Sequence, residues 1–243
     1  MSATWGGRER DLTRLVTAGN TPGAELHMNR LEHAGLVRTD PADPDEAVTD
    51  SAAAATAFAT GHKTFNGGVG VDAWGKPVRT LLEDARRQGK ATGLVTTSQV
   101  TDATPAAYAA HVKDRAQQSE IARQFLEDSK PDVILGGGED FWYPAGNPGA
   151  LPDHPPTDPT EESKGDRGNL VDRAKQLAYR YVSDRAGLTN ARGPKLLGLF
   201  ANEEMFEHRE EGKGDLYDPR SRCPRWRPRR STSSRRIATA SSC

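Results

Sequence analysis

With 243 residues, 33 Lys and Arg against 34 Asp and Glu, and 35% hydrophobic residues, the chain has material for one large domain with a sizeable core. A formal net charge of −1 argues against a nucleic-acid or membrane partner, and no apolar run reaches membrane-spanning length. The average hides an asymmetry: the last 24 residues hold eight Arg, no acid and both cysteines, Cys223 and Cys243, and without them 25 basic residues face 34 acidic ones, a formal −9. The body therefore has no disulfide framework and no thiolate metal site.

Residues 1–20 are polar, lack a clear period and show no signal-peptide pattern, with 10–18 read as the remains of a helix. Residues 26–39 read as a short amphipathic segment and a strand ending near Arg38, and 41–46 as a turn-rich acidic loop. The stretch 49–72, TDSAAAATAFATGHKTFNGGVGVD, is the most informative. Thr49 or Asp50 can supply an N-cap oxygen, the Ala-rich run has the best helix propensity, and Gly61 suits the left-handed turn that ends a helix. Ser51 then lies in the first turn, where free N–H groups and the helix dipole favour an anion beside its hydroxyl.

Three helix-then-strand units follow. Pro77 opens the first helix, with Gly89 as its stop and 92–96 as the strand; the second pairs helix 119–128 with strand 132–135; the third pairs helix 170–184 with strand 195–200. Such alternation predicts an α/β fold with a mostly parallel sheet flanked by helices, and a site at the carboxyl ends of the strands. Gly136, Gly137 and Gly138 follow a strand, but their spacing fits neither a dinucleotide fingerprint nor a P-loop, so they read as a tight strand-end turn. Residues 139–167, rich in Pro, Gly and Asp, read as a surface loop.

After the first strand comes TDATPAA, then His111 and Arg115. Asp102 and Thr104, two residues apart at a strand end, can face one hard cation, or can instead cap a helix ahead of Pro105. Arg115 reads by itself either as a solvated helix residue or as a functional guanidinium. The six histidines have no zinc-motif spacing; His111 reads as a half-buried structural residue, and Glu204 with His208 as part of a solvated charged helix.

The string from Asp50 to Ala57, with Thr60-Gly61, Lys63 to Gly67, and Asp102-Ala103-Thr104-Pro105, closely resembles the alkaline phosphatases. GLVRT, DVILGGG and KLLGLFA extend the resemblance from about Gly23 to Asp218. It implies hydrolysis of phosphate monoesters through a phosphoserine on Ser51, Arg115 as the phosphate clamp, Asp102 and Thr104 as magnesium ligands, and zinc as the activating cofactor. It also implies small phosphate monoesters as partners, frequent dimerisation, and a periplasmic or secreted location. The family's Gly-Asp-Gly turn and most of its zinc ligands are absent from the sequence. The expectation is an incomplete domain over 1–219 with little turnover by itself, the rival being a non-catalytic phosphate-binding remnant. A sulfatase or phosphodiesterase relationship fits the DSAAAATA string less well. Residues 220–243 read as a disordered Arg-rich tail produced by a frameshift, with a basic nucleic-acid-binding arm as the other reading.

Overall fold

The structure, a computed structural model, describes residues 31–33, 35, 37–151 and 162–205. The expectations for residues 10–18, His208 and the Arg-rich tail lie outside the described residues. Helix α1, Ser51–Thr60, starts and stops as its local chemistry dictates: Asp50 accepts the Ala53 N–H, and Gly61, at φ 76°, donates its N–H to the Ala57 carbonyl. Its alanines let it lie close to α3, Ala103–Ala106, and Ala52, Ala55, Ala103 and Ala106 are buried together.

The sheet contains β1 (Gly93–Gln99), β2 (Val133–Gly137), β3 (Arg180–Val182) and β4 (Leu196–Leu199) in the order β1-β2-β4-β3, with every pairing parallel. Leu94 pairs with Ile134, and Ile134 with Leu197, so one face carries a continuous apolar row. That row belongs to the main core with Ile121, Phe125, Leu126, Trp142 and Val171. Leu135 points to the other face and is buried with Val182, Leu188, Phe200 and Met205. Burial on both faces is what a parallel sheet requires, and the covering helices are α2 (Leu81–Arg87), α4 (Gln118–Gln124), α5 (Leu170–Gln176) and α6 (Arg185–Asn190).

Four local expectations change. Helix α2 starts at Leu81 and not at Pro77, because Thr80 and Glu83 form a reciprocal capping box while Pro77 pairs with Val71 in an antiparallel bridge. The single helix expected over 170–184 is α5 followed by β3: Ala178 takes φ 67°, which ends the helical run, and the aromatic and β-branched residues after it join the sheet edge beside β4. Residues 37–40 form no strand; Arg38 turns its guanidinium onto Asp40, with Nη2 donating at 2.9 Å, and Pro41 follows. The segment after β2 is not a plain surface loop, since Glu139–Phe141 is a 3-10 turn and Trp142 is fully buried.

The three glycines at the end of β2 do form a strand-end turn. A Cβ on Gly136 would sit 2.9 Å from Thr96 and Val100 side-chain atoms, and Gly138 takes φ 86°. The N–H groups that a phosphate cradle would need are already used, Gly138 on the Glu203 carbonyl at 2.7 Å and Glu139 on that of Ala201 at 3.1 Å. These glycines therefore serve close backbone approach.

Candidate active site

At the carboxyl end of β1 the chain passes through Thr101 to Asp102, the N-cap of α3. Asp102 makes no side-chain cap hydrogen bond. Its Oδ1 instead accepts from Arg115 Nη2 at 2.6 Å, so the capping alternative for this carboxylate does not describe it. The same guanidinium donates through Nη1 to Ser51 Oγ at 2.7 Å and to Asp50 Oδ2 at 3.3 Å. Arg115 thus ties the first turn of α1 to the end of β1, and its alternative as a solvated helix residue falls away.

Backbone contacts hold this arrangement from behind. The Arg115 N–H donates to the Gly67 carbonyl at 2.9 Å, and the Gly67 N–H donates to Asp50 Oδ2 at 3.0 Å. Asn66 Oδ1 accepts the Asp50 N–H at 2.9 Å, while its Nδ2 donates to the Val48 carbonyl at 3.0 Å. The loop after α1 is anchored further along, where Thr56 Oγ1 donates to the Gly68 carbonyl and accepts the Gly70 N–H, and where Val69 and Val112 exchange both backbone hydrogen bonds. Asn66 and Gly67 carry no charge or nucleophile; in the sequence they show only as an Asn-Gly turn signal and as the end of the Lys63 to Gly67 string that resembles the family.

Burial draws the Arg115 pKa down, but the hydrogen bond and charge of Asp102, followed by those of Asp50, outweigh it and leave the group above its usual value. Arg115 is consequently a permanent cation, with its side chain 33% exposed, and so open to a ligand. A positive group 2.7 Å from Ser51 Oγ favours the alkoxide over the hydroxyl and favours an anion bound beside it.

Thr104 lies within α3 near Asp102 but is exposed, and no hydrogen bond joins it to Ser51 or Arg115. Asp50, Ser51, Asp102 and Arg115 are brought together; Thr104 stays on the rim. Among the described residues, no three His, Cys, Asp or Glu side chains are grouped for a metal ion. His111 stands apart from Ser51, with Nδ1 2.6 Å from the Gly70 carbonyl oxygen and Nε2 3.0 Å from Glu83 Oε1, as a half-buried structural histidine. A shallow groove of about 50 Å³ on the outer side of α1, lined by Val37, Pro41, Ala57 and Phe58 among others, includes neither Ser51 nor Arg115. Among the described residues no helix is long and apolar enough to cross a membrane.

A sequence profile of the alkaline phosphatase family matches residues 8–217. Alkaline phosphatase 4 of Bacillus subtilis is 42% identical over 173 residues, which cover 69% of this chain and 33% of that protein. The solved alkaline phosphatase of Thermus thermophilus superposes with a TM-score of 0.64 at 32% identity, over 82% of this chain and 38% of that one. A variant of the alkaline phosphatase of the Antarctic bacterium TAB5, with Mg bound in its M3 site, superposes with a TM-score of 0.61 at 27% identity, over 80% of this chain and 50% of that one. The chain spans about a third of the length of the curated relatives it matches.

Proposed function

The chain belongs to the alkaline phosphatase family, and from that premise we propose that Ser51 is its phosphate-accepting nucleophile and Arg115 its phosphate clamp in the hydrolysis of small phosphate monoesters. The observation that carries the reading is the 2.7 Å contact between Arg115 Nη1 and Ser51 Oγ. In the first step Ser51 Oγ forms a bond to phosphorus while the ester P–O bond breaks and the alcohol leaves with a proton. Water then attacks the phosphoserine, releasing inorganic phosphate and restoring the hydroxyl.

Each residue has a defined part. Ser51 sits in the first turn of α1, where the N-terminal N–H groups stabilise incoming negative charge. Arg115 exchanges its Ser51 and Asp102 contacts for two phosphate oxygens, and its planar fork fits the trigonal phosphoryl group in flight. Asp50 holds Arg115 and the Gly67 N–H on one carboxylate oxygen, which fixes the guanidinium relative to the helix start.

The TAB5 relative with bound Mg supports a magnesium site here, for which Asp102 and Thr104 are the candidate ligands. Asp102 has its second oxygen outside the Arg115 contact, and Thr104 is exposed, so both have donor capacity for a hard cation. A cation there would supply charge neutralisation to the phosphoryl oxygens. Among the described residues no three His, Cys, Asp or Glu side chains are grouped to hold zinc.

That donor set favours a second reading for this chain by itself: phosphate is held at Ser51 and Arg115 without turnover. A chromogenic phosphate monoester assay with added zinc and magnesium, run on the parent chain and on Ser51→Ala, separates the two. Metal-dependent hydrolysis lost in Ser51→Ala establishes catalysis; phosphate binding by calorimetry that is lost on Arg115→Ala, without hydrolysis, establishes the remnant. Dimerisation and a periplasmic or secreted location stand as proposals from the family, and no nucleic-acid partner is proposed.

A further inference from the structure

At the amino ends of the strands, away from Ser51, the half-buried Arg86 and Lys195 reach the turn Lys130–Asp132 that leads into β2, and the charges of Arg86 and Lys130 both act on Lys195. Arg86 Nη1 donates to the Lys130 carbonyl. Lys195 Nζ lies 4.6 Å from the centre of the Tyr179 ring, and the Tyr179 hydroxyl donates to the Pro131 carbonyl at 2.6 Å. The Leu196 N–H donates to the Asp132 carbonyl at 2.8 Å, which seats the start of β4 on the same turn. Among the described residues, none of Arg86, Lys130 and Lys195 takes part in an ion pair.

The acid beside them is Asp132, and its Oδ2 already accepts the Thr92 N–H at 2.8 Å. Thr92 itself is buried and its Oγ1 has no hydrogen-bond partner. Like charges brought together with partial loss of water repel one another, and a single carboxylate does not neutralise three cations. The effect registers on Lys195, whose pKa is lowered first by burial and then by the charges of Arg86 and Lys130, with Asp132 opposing. An arrangement of this kind is stabilised when a multivalent anion enters it.

We propose that Arg86, Lys130 and Lys195 form a second oxyanion site, which takes a tetrahedral dianion such as phosphate or sulfate and is separate from the Ser51 site. The seven residues of β1 put about 20 Å between the two ends of the sheet. The two sites therefore share no residue, and neither proposal depends on the other.

The test is calorimetry of inorganic phosphate, and separately of sulfate, into the full chain carrying Arg115→Ala, with ionic strength held constant by chloride. One saturable site is expected. Lys195→Gln and Lys130→Gln should each weaken it by about tenfold or more, because each removes a charge-assisted hydrogen bond, while Lys195→Arg should retain it. Circular dichroism checks the fold of each variant. As a measurement that needs no substitution at the cluster, phosphate should slow acetylation of Lys195 by about threefold or more in the Arg115→Ala chain. Absence of a saturable site in that chain, unchanged binding in both Gln variants, or acetylation of Lys195 indifferent to phosphate would each overturn the proposal. The parent chain should show two saturable phosphate sites, and a parent that binds no more phosphate than Arg115→Ala would count against the Ser51 site alone.

Discussion

His111 and Glu83 face each other at 3.0 Å, Nε2 to Oε1, while the other ring nitrogen of His111 meets the Gly70 carbonyl at 2.6 Å. Glu83 also completes the capping box of α2, so the pair fastens that helix to the loop that carries Gly67 to the candidate site. Both acceptors suit an imidazolium, which donates from both nitrogens. Burial lowers the His111 pKa, but the Glu83 hydrogen bond and then the Gly70 carbonyl raise it, and the balance lies above 6.5. Glu83 is raised by burial, then lowered by His111 and the Thr80 N–H, and the balance lies below 4.5.

A stability profile against pH follows from those directions. The raised histidine contributes stability that is full below its unfolded value of about 6.5 and lost as pH climbs through its folded value. The lowered carboxylate contributes above about 4.5 and loses its contribution as pH falls through its folded value. Parent and His111→Gln should therefore differ most between about pH 4.5 and 6.5, by about 1–2 kcal/mol, and converge at alkaline pH. Urea unfolding across that range measures it; a difference that grows with alkalinity contradicts the imidazolium assignment.

Replacement of Arg115 by lysine keeps the charge but removes the fork that reaches Ser51, Asp50 and Asp102 together. Phosphate binding should weaken by about 10- to 100-fold in Arg115→Lys, and nearly as much as in Arg115→Ala. Titration calorimetry at fixed ionic strength, run in the Lys195→Gln background so that the Ser51 site is read by itself, measures this. Equal affinity in the lysine variant and the parent would show that charge alone is sufficient.

Asp50→Ala removes the acceptor for Ala53 N–H, Gly67 N–H and Arg115 together. A lost helix cap by itself costs about 1 kcal/mol, and the additional unsatisfied Gly67 N–H should bring the total to about 2 kcal/mol. Asp50→Asn, which retains one carbonyl oxygen for the cap, should lose less. Chemical denaturation of both variants gives the comparison, and equal losses would remove the cap from the explanation.

Two glycines with positive φ should respond differently to alanine. Gly61, at φ 76°, has nothing within 4 Å of an added Cβ, so Gly61→Ala should cost only the left-handed backbone penalty of about 1–2 kcal/mol. Gly70, at φ 61°, would place its Cβ 2.8 Å from His111 Nδ1 and against the Ala110 carbonyl. Gly70→Ala should therefore cost about 3 kcal/mol or more and loosen the loop behind Asp50 and Arg115. Thermal unfolding of the two variants side by side measures the gap.

The sequence by itself determined what depends on a few neighbouring residues. Asp50 and Gly61 bound α1 as their side-chain and backbone preferences require, and the run of helix-strand alternation specified a parallel sheet. It also carried the family, because the strings Asp50–Ala57, Lys63–Gly67 and Asp102–Pro105 resemble the alkaline phosphatases, whose family profile matches residues 8–217. Where two local signals competed, tertiary packing decided. Pro77 offered a helix start, but its segment pairs with Val71 and the Thr80–Glu83 box starts α2 instead. The aromatic residues after Ala178 could continue a helix or join a sheet, and the open edge of β4 drew them into β3.

Only the tertiary structure brought Arg115 onto Ser51 and Asp102, placed Asn66 and Gly67 behind Asp50, left Thr104 on the rim, and collected Arg86, Lys130 and Lys195 at the far end of the sheet. Helix caps and propensities act within about one turn of chain. Contacts between distant residues form only where burial of the core forces the elements together, and that burial depends on the whole chain at once.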